Sequence, residues 1–209
     1  MQVSSRKLPK PLLPLLLLAA AFAAPAPAAP KDRQTDVFAG GCFWCTEAVF
    51  EQLEGVVKVV SGYTGGTQAT AHYEIVGSGK TDHAESIEIT YDPDKITYAR
   101  LLEVFFLVAH DPTQLNRQGP DWGRQYRSAV FYKGEEQKRL AEEYIQKLEA
   151  ERHFKSKIVT EVTRLTSFYP AEDYHQDYVK HHPDNPYVVT NSLPKLRKLR
   201  QTFPALLKK

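Results

Sequence analysis

The sequence predicts an α+β fold, a ferredoxin-like split βαβ two-layer sandwich with long functional loops. Three observations lead there. From residue 36 the apolar patterning runs strand, helix, strand and then strand, helix, strand, an order that gives an antiparallel sheet with helices on one face. The chain has 209 residues and 42% hydrophobic composition, enough to bury one core without covalent staples. The connections over 67–82, 110–123 and from 166 onward are long for a compact domain, and loops of that length tend to carry function.

Taken in order, Asp36-Val37-Phe38-Ala39 reads as a short buried strand. Gly40 and Gly41 then allow a tight turn and a close approach to the backbone. A helix follows, because Cys45, Val49 and Leu53 recur at helical spacing with Phe50 on the same side. A strand spans 56–63. A second spans 84–91, with Ile87, Ile89 and Tyr91 alternating against Ser86, Glu88 and Thr90, and Asp92-Pro93-Asp94 stops it. An apolar helix is expected over 98–109, a strand over 128–132, a charged amphipathic helix over 135–152 and a strand over 158–165. A basic helix near 196–203 ends the chain.

The first thirty residues have a different character. Arg6, Lys7 and Lys10 precede an apolar Leu/Ala run over 12–24, followed by small-x-small sites at Ala21-Phe22-Ala23 and Ala24-Pro25-Ala26. Residues 1–24 therefore read as a signal peptide, the alternative being a retained anchor; the run is short for a bilayer span. Residues 25–34 read as a stiff Pro/Ala-rich linker. The main domain is expected over 35–190 and a basic C-terminal helix or tail over 191–209. The leader implies an exported protein, in the bacterial periplasm, with no membrane association after processing. The formal net charge is +2, and three of the basic residues lie in the leader, so the remainder is near neutral and offers nothing for nucleic acid.

Both cysteines of the chain, Cys42 and Cys45, lie three apart where the first helix begins. A structural disulfide fits an exported protein, although so short a loop adds little stability. Half a zinc site would need companions, and His72, His83, His110 and His175 are scattered singly. A reactive pair fits the position: unpaired amides and the dipole at a helix start favour a thiolate at Cys42. Phe43 and Trp44 between the cysteines would make an apolar recess beside the nucleophile.

At this point the residues carry a resemblance. Gly41-Cys42-Phe43-Trp44 is similar to the active-site signature of the peptide methionine sulfoxide reductase A family. Gly62-Tyr63, Thr81-Asp82-His83-Ala84-Glu85, His110-Asp111-Pro112-Thr113, Asn116-Arg117-Gln118-Gly119, Asp121, Gly123, Gln125-Tyr126-Arg127-Ser128 and 171–178 follow in the family's order. The likeness covers about 36–187 and makes 35–190 the catalytic domain.

The resemblance implies reduction of the S-epimer of methionine sulfoxide, free or in oxidised proteins and peptides, by a monomer. Cys42 is then the nucleophile, Glu85 the acid, and Tyr73 and Tyr126 the phenols that hydrogen-bond the sulfoxide oxygen. Phe43 and Trp44 form the wall around the S-methyl group, and Asp121, His175 and Tyr178 the polar rim. Cys42 becomes a sulfenic acid, a second thiol condenses with it, and a thioredoxin-like dithiol regenerates the pair. No metal or bound cofactor is implied.

Two departures from the family stand out. Many members keep a resolving cysteine in a C-terminal tail, where this chain has Pro186-Tyr187-Val188-Val189-Thr190, leaving Cys45 as the internal candidate. Asp82 stands where glycine is common. Tyr187 has no clear register against the family's tail tyrosine and is not assigned to the site. The competing readings are a thioredoxin-like thiol-disulfide oxidoreductase and an exported binding module with a structural disulfide and eleven tyrosines.

Overall fold

A computed structural model of the protein describes residues 1–2 and 32–209. The signal-peptide and linker expectations fall almost wholly outside these residues. Among the described residues no helix is long and apolar enough to cross a membrane.

The expected strand-helix-strand units are present. β1 (Gln34–Gly40), α1 (Phe43–Glu51) and β2 (Val56–Thr64) form the first; β3 (Ala84–Tyr91), α3 (Tyr98–Val104) and β6 (Ser128–Tyr132) form the second. Between them lie α2 (Tyr73–Gly77), inside the expected loop over 67–82, and a hairpin of β4 (Arg117–Gln118) and β5 (Asp121–Trp122), inside the loop over 110–123. α4 (Glu135–Ala150), β7 (Glu161–Arg164), β8 (Phe168–Pro170), α5 (Tyr178–His181) and α6 (Leu193–Thr202) complete the chain.

The six-stranded sheet runs β7-β6-β1-β3-β2-β8. Its four central strands are antiparallel in the order the split βαβ plan requires. β7 adds in parallel outside β6, and β8 adds antiparallel outside β2. β7 is shorter than the strand expected over 158–165: Val159 N–H donates instead to Pro112 O, and Ile158 N–H to Glu149 Oε1, so pairing with β6 begins only at Glu161. β8 has no counterpart in the sequence reading, because three residues give no period to detect.

Strand alternation sorts the two faces. Phe38, Ile87, Ile89, Tyr91 and Val130 meet α1, α3 and α4 in the main core. Val37, Ala39, Ala84, Ala129 and Phe131 form a smaller cluster on the other face. Phe38 lies at the centre of the main core, its ring centroid 4.9 Å from Phe105 and 5.9 Å from Phe50. Burying one such side chain contributes about 1.5–3 kcal/mol.

α3 continues into a π-helical turn, Phe105–Ala109, so the apolar helix expected over 98–109 is real but changes its hydrogen bonding in its second half. His110 leaves that turn with Nδ1 2.9 Å from Phe105 O and Nε2 2.7 Å from Ser128 Oγ, fully engaged.

The basic C-terminal helix expected beyond 190 is present as α6 and packs on the body of the domain. α6 packs on α1, Leu207 bridges to Leu53, Glu54 N–H donates to Leu206 O at 2.7 Å and Lys208 N–H to Gln52 O at 2.9 Å. The reason is its amphipathic pattern: Leu196 and Leu199 are buried while Arg197, Lys198 and Arg200 remain exposed.

β8 is held by the close approach of Gly62 and by Gln176, whose amide receives Ser61 N–H and donates to Ser61 O and Ala171 O. A Cβ on Gly62 would lie 2.5 Å from Tyr169 O. Gly62→Ala is therefore expected to prise β8 from β2 and cost about 1–3 kcal/mol, read as a lower midpoint in denaturant unfolding.

Candidate active site

The turn between β1 and α1 places the cysteines. Gly41 has φ +85°, a conformation that suits glycine, and a Cβ there would lie 2.4 Å from the Gln118 side chain. Gln118 is itself fixed: its Oε1 accepts from Asp111 N–H and its Nε2 donates to Asp111 O. Cys42 is the N-cap of α1, and its carbonyl accepts from the Cys45 and Thr46 N–H groups. Both cysteines are buried and unbonded to each other, Cys42 7% exposed and Cys45 1%.

β3 delivers the acid. Glu85 falls in the same alternating row as Ile87, Ile89 and Tyr91, so its carboxyl points to the helix face. It is 2% exposed, and its Oε2 accepts the Phe43 N–H at 3.1 Å. Burial pushes its pKa up to about 8, Phe43 N–H opposes, and the negative charges of Asp121 and Cys45 add to the rise. Glu85 therefore holds a proton at neutral pH.

Cys42, Phe43, Trp44, Tyr73, Glu85 and Tyr126 line one cavity of about 180 Å³, together with Asp121 and Tyr187. Tyr73 arrives on α2, whose start is fixed by Tyr73 N–H donating to Glu172 Oε1 at 3.0 Å; Tyr63 Oη donates to the other oxygen at 2.8 Å. Tyr126 ends a 3₁₀ turn, Arg124–Tyr126. The next residue, Arg127, donates to Asp82 O, Arg124 O and Glu161 Oε2. One buried guanidinium thus ties the loop before Glu85 to the turn that carries Tyr126, and it does so through the backbone of Asp82, not its side chain. Burial and the Glu85 charge raise both phenols, Tyr73 to about 12, so both remain O–H donors.

His175 and Tyr178, expected at the polar rim, lie behind the wall instead and do not line this cavity. His175 Nδ1 accepts the Trp44 indole N–H at 3.0 Å, which sets its tautomer, and burial lowers its pKa. Tyr178 stacks on Trp44 with centroids 3.6 Å apart and planes 5° apart. Both side chains thus contact the Trp44 ring directly. Tyr187, left off the site by the sequence reading, lies in it: its Oη donates to Asp121 Oδ2, its ring meets Trp44 edge-on at 5.9 Å, and its hydroxyl faces both cysteines. No local pattern marks Tyr187; only the packing of the chain's last segment brings it there.

The two cysteines influence each other's ionisation directly. The helix start was expected to make Cys42 the acidic thiol. Burial instead pushes Cys42 well up, and the Cys45 sulfur and the Glu85 carboxyl push it further, although Tyr187 opposes. Cys45 is brought down to about 6, first by the hydrogen bond from Cys42, with help from Lys195, Ser192 and Tyr187 against its own burial. Desolvation outweighs the dipole of a nine-residue helix here. The two thiols titrate as a pair that loses its first proton readily.

Three of the four scattered histidines have structural partners. His83 meets Gly66 N–H and Thr67 O, His110 serves β6, and His175 serves Trp44. Among the described residues no cluster of His, Cys, Asp and Glu has a metal-holding arrangement.

The family model described as peptide methionine sulfoxide reductase matches residues 34–206. "Peptide methionine sulfoxide reductase MsrA 2" of Synechocystis sp. is 56% identical over 178 residues, 85% of this chain and 83% of that protein. The protein of the same name from Mesorhizobium japonicum is 54% identical, over 85% of this chain and 91% of its own length. Among solved structures, reduced Mxr1 from Saccharomyces cerevisiae superposes with a TM-score of 0.67 at 32% identity, covering 73% of this chain and 87% of that one. Methionine sulfoxide reductase A of Corynebacterium diphtheriae gives 0.64 at 34% identity, covering 73% and 76%.

Replacing His175 by Phe keeps ring packing but leaves the Trp44 indole N–H without its acceptor. The expected cost is about 1–3 kcal/mol in denaturant unfolding, with a change in indole fluorescence. Unchanged fluorescence and stability would remove His175 from the support of Trp44.

Proposed function

The chain belongs to the peptide methionine sulfoxide reductase family, and on that premise we propose how its own residues carry the reaction. The enzyme reduces methionine sulfoxide to methionine, a repair reaction on oxidised proteins and peptides, and draws its electrons from a thioredoxin-type dithiol without a prosthetic group. We infer that the S-epimer is the substrate. One observation supports the assignment of roles: a thiol, a protonated carboxyl and two phenols share one apolar-walled cavity with Phe43 and Trp44.

The substrate's S-methyl group enters the recess against Phe43 and Trp44. Its oxygen accepts hydrogen bonds from Tyr73 and Tyr126, which stabilise negative charge as it develops. Asp121, at the mouth beside Tyr187, is available to the substrate's main-chain amides. Cys42 passes its proton to the Cys45 thiolate and attacks the sulfoxide sulfur. Glu85 gives its proton to the oxygen, which otherwise leaves poorly. The protonated oxygen passes to the Cys42 sulfur as its bond to the substrate sulfur and the new sulfur–sulfur bond both break, so methionine departs with the electron pair and Cys42 carries the S–OH group.

Cys45, one helical turn on, then attacks the Cys42 sulfur. The S–O bond breaks, the Cys45 proton leaves with hydroxide as water, and a Cys42–Cys45 disulfide forms. Glu85 remains as carboxylate and takes a proton from solvent. The dithiol reductant returns two electrons and both thiols. A plain thiol-disulfide oxidoreductase has no use for Glu85, Tyr73 and Tyr126 around its sulfur, and a binding module has no use for a proton donor there.

The leader pattern supports export of the mature domain to the periplasm, with residues 1–24 removed. N-terminal sequencing of the mature chain, recovered from the periplasmic fraction, is expected to begin near Pro25; a cytoplasmic chain starting at Met1 would reject export.

The rate with S-sulfoxide is expected to rise through about pH 6, as the cysteine pair loses its first proton, and to fall above about pH 8, as Glu85 loses its own. Glu85→Gln is expected to lower the rate by roughly a hundredfold or more and to abolish the alkaline limb. An intact rate in that variant would remove Glu85 as the acid. After one turnover without reductant, intact mass is expected to show two hydrogens lost and no free thiol. A lasting sulfenic acid with Cys45 still free would reject Cys45 as the resolving thiol.

A further inference from the structure

The two cysteines do not see the same space. Cys42 lines the substrate cavity and also a second, smaller recess of about 40 Å³ that shares Asp121 and Tyr187 with it. Cys45 lines only the smaller one, and there it meets the C-terminal segment. Its Sγ lies 3.1 Å from Ser192 Oγ, and Lys195, one turn further along, lines the same recess. A volume of that size holds little more than one water, whose share of liquid volume is about 30 Å³. A thiolate attacks a disulfide sulfur from the side opposite the sulfur that leaves, so the approach to each cysteine differs. The approach to Cys42 runs through the cavity already built for a methionine side chain. The approach to Cys45 is closed by Ser192 and α6.

We propose that Cys45 is the sulfur that leaves when the dithiol reductant reopens the Cys42–Cys45 disulfide, that the mixed disulfide therefore forms on Cys42, and that Ser192 and Lys195 hold the departing thiolate. This rests on the disulfide intermediate put forward above. The step balances. The reductant thiolate bonds to Cys42 Sγ, the Cys42–Cys45 bond breaks, and its electron pair leaves on Cys45. The reductant's second thiolate then attacks the reductant's own bonded sulfur and frees Cys42 as a thiolate, which takes up a proton. The reductant ends as a disulfide.

Charge favours the same direction. The groups facing Cys45 are Cys42, Tyr187, Ser192 and Lys195, with Glu85 and Asp121 as nearby carboxyls. Glu85 is held protonated by burial, and burial raises Asp121 as well, with Tyr187 and Lys195 opposing. Lys195 is the cation among them, and the less basic thiolate leaves faster. Lys195 is a positioning residue in this account: it stays off the reacting sulfurs and acts on one of them through its charge.

The test begins with the unaltered chain, oxidised by one equivalent of methionine sulfoxide. A thioredoxin whose second cysteine is replaced by serine is added, and the trapped adduct is mapped by peptide mass spectrometry. The adduct is expected on Cys42; an adduct on Cys45 overturns the proposal. If intact mass shows that no Cys42–Cys45 disulfide had formed before the reductant was added, the disulfide reading falls and this proposal with it. A disulfide that forms but traps on Cys45 sinks this proposal alone.

The role of Lys195 is read separately, by ultraviolet thiolate absorbance of the reduced protein. Lys195→Met is expected to raise the first ionisation of the pair by about one pH unit and to slow disulfide reopening several-fold. Lys195→Arg is expected to restore both. A titration that does not move in Lys195→Met, in a variant that melts like the parent, removes Lys195 from the mechanism.

Discussion

The hydrogen bond from Phe43 N–H to Glu85 Oε2 is the contact on which the rest of the site depends. It joins the first residue of α1 to the helix-facing row of β3, across a sequence separation of 42 residues. A helix start has donors to spare and a buried carboxyl needs one, so each satisfies the other. The bond holds the proton donor beside Cys42. It is single, and the carboxyl is otherwise dry, so it anchors Glu85 without supplying enough stabilisation to ionise it. Two or three such donors would have made Glu85 a carboxylate and useless as an acid.

Around that contact, burial sets the chemistry more than any single charge does. It raises Glu85, Cys42 and the phenols together, keeping each in its hydrogen-bonding, protonated form. Cys45 is the exception, first because Cys42 hydrogen-bonds it and then because Lys195, Ser192 and Tyr187 of the C-terminal segment converge on it. Above about pH 6 the pair of thiols is thus short of one proton, within one helical turn of where the bond to substrate forms.

Much of this was legible in the residues. The β1-turn-α1 unit could be read from a strand pattern, two glycines and a helical stripe, because each signal is local. The central four strands followed from their order. Glu85, Tyr73 and Tyr126 were found through motif resemblance, and the cavity gathers all three. What could not be read depends on packing between distant segments. β8 is three residues long and exists because β2 offers it an edge. Tyr187 and Lys195 reach the cysteines only because Leu196 and Leu199 bury against α1 and its neighbours. His175 looked like a ligand for substrate, and its partner, the Trp44 indole, lies 131 positions away. The burial around Cys42 was hidden for a related reason: a helix start is visible in sequence, whereas the degree of desolvation around it is not.

The main core is built of phenylalanine, tyrosine, leucine, isoleucine, valine and alanine, and the chain's single methionine is Met1. No thioether lies among the buried side chains that hold the sheet to its helices. Oxidants that turn a flexible apolar methionine into a polar sulfoxide, and so loosen the interiors of other proteins, find no such target inside this one. The repairer's own interior lacks the lesion it repairs.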